Sequence, residues 1–122
     1  KGKDYMFAAP INLYSLAYPE KKSIWTNRFK MFATQNMWTF ILLDSYNGRL
    51  WQVQYSTQDF DNLFCIPINK YELVENNERC IFSIQPLTSM YQYYLINDST
   101  GDMWKFQWST KGDDYRWIER FR

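Results

Sequence analysis

The sequence predicts an all-β domain made of two tandem four-stranded antiparallel repeat units, blade-like in size and packed as a sandwich or a barrel-like whole. Three observations carry that prediction. The stretch ILLDSYNGRLWQVQYST at 41–57 returns in looser form as YLINDSTGDMWKFQWST at 94–110. Aromatic residues make up 20% of the 122-residue chain and apolar residues 46%, ample material for a buried core. No window holds a sustained apolar period near 3.6 residues, so long helices are not expected.

The repeat is ungapped. Sliding the sequence by 53 residues lays 29–68 over 82–121. Phe29, Met37, Leu42, Gly48, Trp51, Gln54, Ser56 and Thr57 then fall on identical residues, while Trp38 meets Tyr91 and Tyr55 meets Trp108. A period of this size belongs to propeller blades and solenoid units. The chain 1–122 reads as a single domain, with 1–28 an N-terminal segment whose MFAAPINLYSL stretch adds a strand lying across the repeats.

Each unit reads as four short strands. In the first they are 29–33, 37–43, 49–56 and 63–68; in the second, 81–85, 90–96, 102–109 and 115–121. All are rich in β-branched and aromatic residues and bounded by Asn, Asp, Gly and Ser. The second and third strands form a hairpin whose register follows from strand alternation. With SYNG as the loop, Leu42 faces Trp51, Phe40 faces Val53 and Trp38 faces Tyr55 on one side. The other side pairs Leu43 with Leu50, Ile41 with Gln52 and Thr39 with Gln54. The same loop length at DSTG sets Leu95 against Trp104, Tyr93 against Phe106 and Tyr91 against Trp108. A one-residue slip would set glutamines opposite aromatics throughout. Gly48 and Gly101 close the turns, where positive φ suits glycine, and Asp44 and Asn97 open them as caps of turn amides. The Trp-Val-Tyr and Trp-Phe-Trp sides are expected to face inward. The other sides are apolar near the turn, so each sheet is expected to be covered, at least in part, on both faces.

The hairpin text resembles the D-x-x-x-G-x-x-W hairpins of β-propeller blades, including Asp-box and quinoprotein-type repeats. It departs from the Asp-box at Tyr46 and Ser99, which stand where that motif has its acid. Across the whole unit, RFKMFATQNMWTFILLDSYNGRLWQVQYS resembles a group of small uncharacterised bacterial proteins built from tandem copies of an RF…TQNMWTFILLD…GRxWQVQWS unit. The second copy is more distant, with LTSM for TQNM and Lys105 for the first Gln. The resemblance implies the repeat fold and no chemistry.

Composition narrows the function. The formal charge is +1, without the basic excess of nucleic-acid binding proteins. No apolar run approaches the roughly 18 residues of a membrane span. Histidine is absent, which removes Ser-His-Asp and Cys-His mechanisms and the usual neutral-pH base. Cys65 and Cys80 read as two separate buried thiols. NDS at Asn97 fits a glycosylation sequon, but its place in a tight hairpin points to turn chemistry. The chain begins at Lys1 rather than Met, which favours a processed protein of the cell envelope or a secreted one. No catalytic cluster, metal site or cofactor is expected.

Two functional readings remain. Sugars bind by stacking on Trp or Tyr faces beside amides, and the pairs Thr39/Gln54 and Gln92/Gln107 lie near Trp38 and Tyr91. Trp38, Gln54, Tyr91 and Gln107 are therefore the candidate ligand-binding residues, in two pseudo-equivalent sites, unless these rings serve only as core. The expected function is a non-enzymatic binding or assembly module, with a glycan or a protein as partner and a homo-oligomer as one outcome. The alternative is a glycosidase-like hydrolase using Asp59 or Asp61 against Asp113 or Asp114, two carboxylates across a cleft.

Overall fold

The computed structural model of the chain describes residue 16 and residues 27–56, 63–69, 71–74 and 80–121. Strands β1 (Phe29–Ala33), β2 (Thr39–Asp44), β3 (Leu50–Gln54) and β4 (Phe64–Pro67) form one antiparallel sheet. Strands β5 (Phe82–Pro86), β6 (Gln92–Asn97), β7 (Met103–Gln107) and β8 (Trp117–Arg120) form a second. Each sheet is a meander in chain order, as short turns between antiparallel strands require. The strand expected at MFAAPINLYSL falls, but for Leu16, outside the described residues.

The hairpin register is the one that alternation dictates. Leu42 pairs with Trp51 and Phe40 with Val53; Leu95 pairs with Trp104 and Tyr93 with Phe106. Gly48 and Gly101 take φ of 81° and 82°, and their N–H groups donate to the Asp44 and Asn97 carbonyls at 2.9 and 2.7 Å. Asp44 Oδ1 accepts the Tyr46 N–H at 3.0 Å, and Asn97 Oδ1 accepts that of Ser99 at 2.9 Å. Both side chains are buried, so the NDS sequon is occupied by turn bonding.

Strands β2, β6 and β8 each start two residues later than expected. In β6 the Ser89 carbonyl accepts the Gln92 N–H at 3.3 Å, and the other two have local reasons of the same kind. Asn36 Oδ1 accepts the Trp38 N–H at 2.8 Å and its carbonyl accepts that of Thr39 at 3.1 Å. This cap takes Met37 and Trp38 into the β1–β2 turn. Before β8, a 3-10 turn over Asp113–Tyr115 forms instead of the strand start expected at Tyr115.

We call the side of each sheet bearing Trp51 or Trp104 its front, and the opposite side its back. The core joins the back of the first sheet (Ile41, Leu43, Leu50, with Phe32) to the front of the second (Phe82, Tyr93, Leu95, Trp104, Phe106, Trp108). The sheets therefore stack as a sandwich, front to back, in the manner of successive blades. This corrects the expectation that the Trp51-Val53-Tyr55 side of the first sheet faces its neighbour. Both faces of that sheet carry apolar rows, so alternation specifies the register without choosing the partner face. Trp51 and Val53 are nonetheless buried, at 3% and 4% exposure, while Tyr55 is 44% exposed. Trp51 and Trp104 keep matching neighbours: Phe29 lies 6.2 Å from the first ring and Phe82 5.9 Å from the second.

One polar residue is set into this core. Gln52 is fully buried; its Nε2 donates to the Ser109 carbonyl at 2.9 Å, and its Oε1 accepts the Ser109 N–H at 3.1 Å. Arg116 Nε donates to the same Oε1 at 2.9 Å. One amide of the first sheet thus clamps the chain just beyond β7. The junction is closed at its other end by Phe82, whose ring lies against Gly48 and whose N–H donates to the Ser45 carbonyl at 2.8 Å. Cys65 and Cys80 are both free thiols, the second in the core. No helix among the described residues is long and apolar enough to cross a membrane.

Candidate functional site

The four candidate residues occupy the hairpin ends away from the β2–β3 and β6–β7 turns. Trp38 precedes β2, and its carbonyl accepts the Tyr55 N–H at 2.8 Å, which extends the ladder by one pair and lays the two side chains together on the front face. Their rings stack with centroids 5.5 Å apart and planes 20° from parallel. Both are open to solvent, Trp38 at 39% and Tyr55 at 44%. Met37 beside them is exposed as well.

Gln54 pairs with Thr39, the next step along each strand, so it projects from the back. Alternation therefore places Trp38 and Gln54 on opposite faces of their sheet. The Gln54 amide meets Thr39 Oγ1 at 3.5 Å, the outer limit of a hydrogen bond.

The second repeat repeats the geometry with different exposure. Tyr91 and Trp108 lie 4.8 Å apart with planes at 51°. Tyr91 is exposed, but Trp108 is fully buried, and its Nε1 donates to the Met90 carbonyl at 3.0 Å. The front of this sheet is the one packed into the core, which removes Trp108 from solvent. Gln107, on the back, accepts from Gln92 Nε2 at 2.9 Å and donates to the Tyr115 carbonyl at 2.9 Å. Its amide already has a partner at each end. The structure brings ring together with ring in both repeats, amide with hydroxyl in the first and amide with amide in the second, and ring with amide in neither. A two-ring exposed surface exists only in the first repeat, among the described residues.

Tyr55 is the residue that candidate selection from sequence left out. The register already set it beside Trp38, so the signal was present; its exposure depended on which face of the first sheet meets the second.

Among the described residues the carboxylates assemble no acid–base pair. Asp59 and Asp61 lie outside the described residues. Asp113 is held by Arg116 Nη1 at 2.7 Å, and Asp114 sits exposed beside it in the 3-10 turn. No group of three or more Cys, Asp or Glu residues gathers among the described residues to hold a metal ion. Burial pushes the Cys65 thiol up to about 11, which keeps it protonated and poorly nucleophilic near neutral pH.

Compared with known protein families, curated proteins and solved structures, the chain matches none.

Proposed function

We propose that this protein is a non-enzymatic assembly and binding module that works through the faces of its repeats. What supports this reading is the front-to-back stack. Such a contact joins two different faces, so one is consumed on each sheet and the other is left over. The leftover faces bear apolar and aromatic side chains: Phe29, Met31, Trp38 and Tyr55 on the first sheet, and Phe121 on the second, are all exposed. Trp38 and Tyr55 are in ring contact, and exposed apolar surface that is clustered rather than scattered singly marks an interaction site.

Light scattering on the purified chain over a concentration series tests the proposal. Self-association that strengthens with concentration is expected, and a chain that stays monomeric throughout overturns the assembly reading.

One observation favours carbohydrate as a second class of ligand. The exposed Trp38–Tyr55 pair offers ring faces of the kind on which sugars stack. A glycan array run with Trp38→Ala and Tyr55→Ala would then show binding lost in both variants. The double variant Gln54→Ala with Gln107→Ala tests the amides separately, and binding that survives it confines recognition to the rings.

A further inference from the structure

Every residue of the first repeat has a counterpart 53 positions later, so the faces of the two sheets can be compared point by point. On the back of the first sheet, Ile41, Leu43, Leu50 and Gln52 are fully buried under the front of the second. Their counterparts on the back of the second sheet are Tyr94, Ile96, Met103 and Lys105, all partly exposed. Phe121 joins them at 43% exposure, its ring meeting Tyr94 edge-on at 5.3 Å. This back face keeps the apolar row of its buried counterpart.

Two replacements indicate what covers it. Gln52 both donates to and accepts from the Ser109 backbone. Lys105, at the matching position, has only donors, so it cannot reproduce that clamp. Across from Lys105 stands Glu119, where the first sheet has Ile66 across from Gln52. The centre of the first sheet's front, at Trp51 and Val53, is moreover already buried. A head-to-tail copy of the internal contact is therefore poorly matched on both sides.

A lysine and a glutamate side by side are instead complementary to themselves. A two-fold axis passing between them sets each Lys105 against the Glu119 of the other copy, and the reverse. Neither residue enters an ion pair among the described residues of its own chain. We propose that the back of the second sheet is a homodimer interface, closed about a two-fold axis by reciprocal Lys105–Glu119 pairs within a patch of Tyr94, Ile96, Met103 and Phe121. The face spans four strands of about five residues, roughly 300 Å² in projection from the strand spacing and rise. So small a contact gives a weak, concentration-dependent dimer.

This inference rests on the assembly reading above. Sedimentation velocity on the full chain, from low to high micromolar, tests it with Lys105→Glu and Glu119→Lys, while circular dichroism checks that each variant is folded. The wild type is expected to pass from monomer to dimer. Each variant alone puts like charges across the axis and weakens dimerisation by about ten-fold or more. An equimolar mixture of the two variants puts opposite charges across it and restores a heterodimer. A wild-type monomer at every concentration overturns both the inference and the assembly reading. An oligomer indifferent to both variants, or a mixture that fails to reassociate, overturns this inference alone.

Discussion

Replacing Gln52 with leucine asks how far one amide couples the two sheets. Leucine fills much of the same space, but it removes all three hydrogen bonds that Gln52 makes to Ser109 and Arg116. Ser109 is itself buried, so its N–H and C=O lose their partners without gaining water. A buried polar group left unsatisfied costs about 1–3 kcal/mol. Arg116 loses less, because Asp113 still holds it at 2.7 Å. The two backbone groups together set the loss at about 4 kcal/mol, and the added apolar burial offsets about 1 kcal/mol. A net loss of about 3 kcal/mol is a large share of a total near 5–15 kcal/mol. In a chain of this size it lowers the melting midpoint by roughly 10 °C. Urea titration followed by tryptophan fluorescence and far-ultraviolet circular dichroism measures it. Gln54→Leu is the control: Gln54 is partly exposed and bonded only at long range to Thr39, so its loss should stay below about 0.5 kcal/mol. If Gln52→Leu lies within that same margin of the wild type, the clamp does not couple the sheets and the reasoning fails.

Asp44→Ala removes the buried carboxylate that Arg28 reaches through Nε at 2.9 Å and Nη2 at 2.8 Å; a loss of about 3 kcal/mol is expected by denaturant titration. Arg28→Met with Asp44→Asn should recover much of it, since Asn97 caps the second turn with Ile81 at the matching position. Gly48→Ala should destabilise more than Gly101→Ala by thermal melting. Both glycines have positive φ, but a Cβ at Gly48 would lie 2.9 Å from the Phe82 ring, while Gly101 has open space. In a Cys80→Ala background, native Cys65 should alkylate slowly at pH 8 and reach free-thiol rates in urea. Burial raises its pKa from the ordinary 9.0 to about 11. The unfolded thiol therefore ionises first, and Cys65 lowers stability as pH climbs from about 9 towards 11, with no effect below that window. Native alkylation as fast as in urea would refute the burial argument.

The sheets were legible in the sequence almost to the residue, because period-two alternation and a Gly-closed turn leave a single register for Leu42, Trp51, Leu95 and Trp104. What alternation could not settle was which face meets which. Ile41, Leu43 and Leu50 on one side are as apolar as Phe40, Leu42 and Val53 on the other, and both rows call for cover. The strand ends were less legible, since the Asn36 cap and the turn at Asp113 are local hydrogen-bond choices that hydrophobic pattern does not record. At the candidate site, the opposition of Trp38 and Gln54 across the sheet was already implicit in the register. The exposure of Tyr55 and burial of Trp108 were not, because they depend on the stacking order of two nearly equivalent sheets.

That stacking order explains why the two copies have diverged where they have. Fronts carry aromatics in both repeats, and the front of the second sheet is the one in the core. Backs differ: Gln52 and Ile66 in the buried one become Lys105 and Glu119 in the exposed one. A unit whose front fits its own back can add copies without limit, and repeat architectures stop such growth with a polar outer face on the terminal unit. Two opposite charges beside each other do this at small cost, since in water they keep their hydration and in a like-to-like contact they neutralise one another. The Lys105–Glu119 pair therefore opposes continuation of the front-to-back stack, while remaining complementary to a second copy of itself.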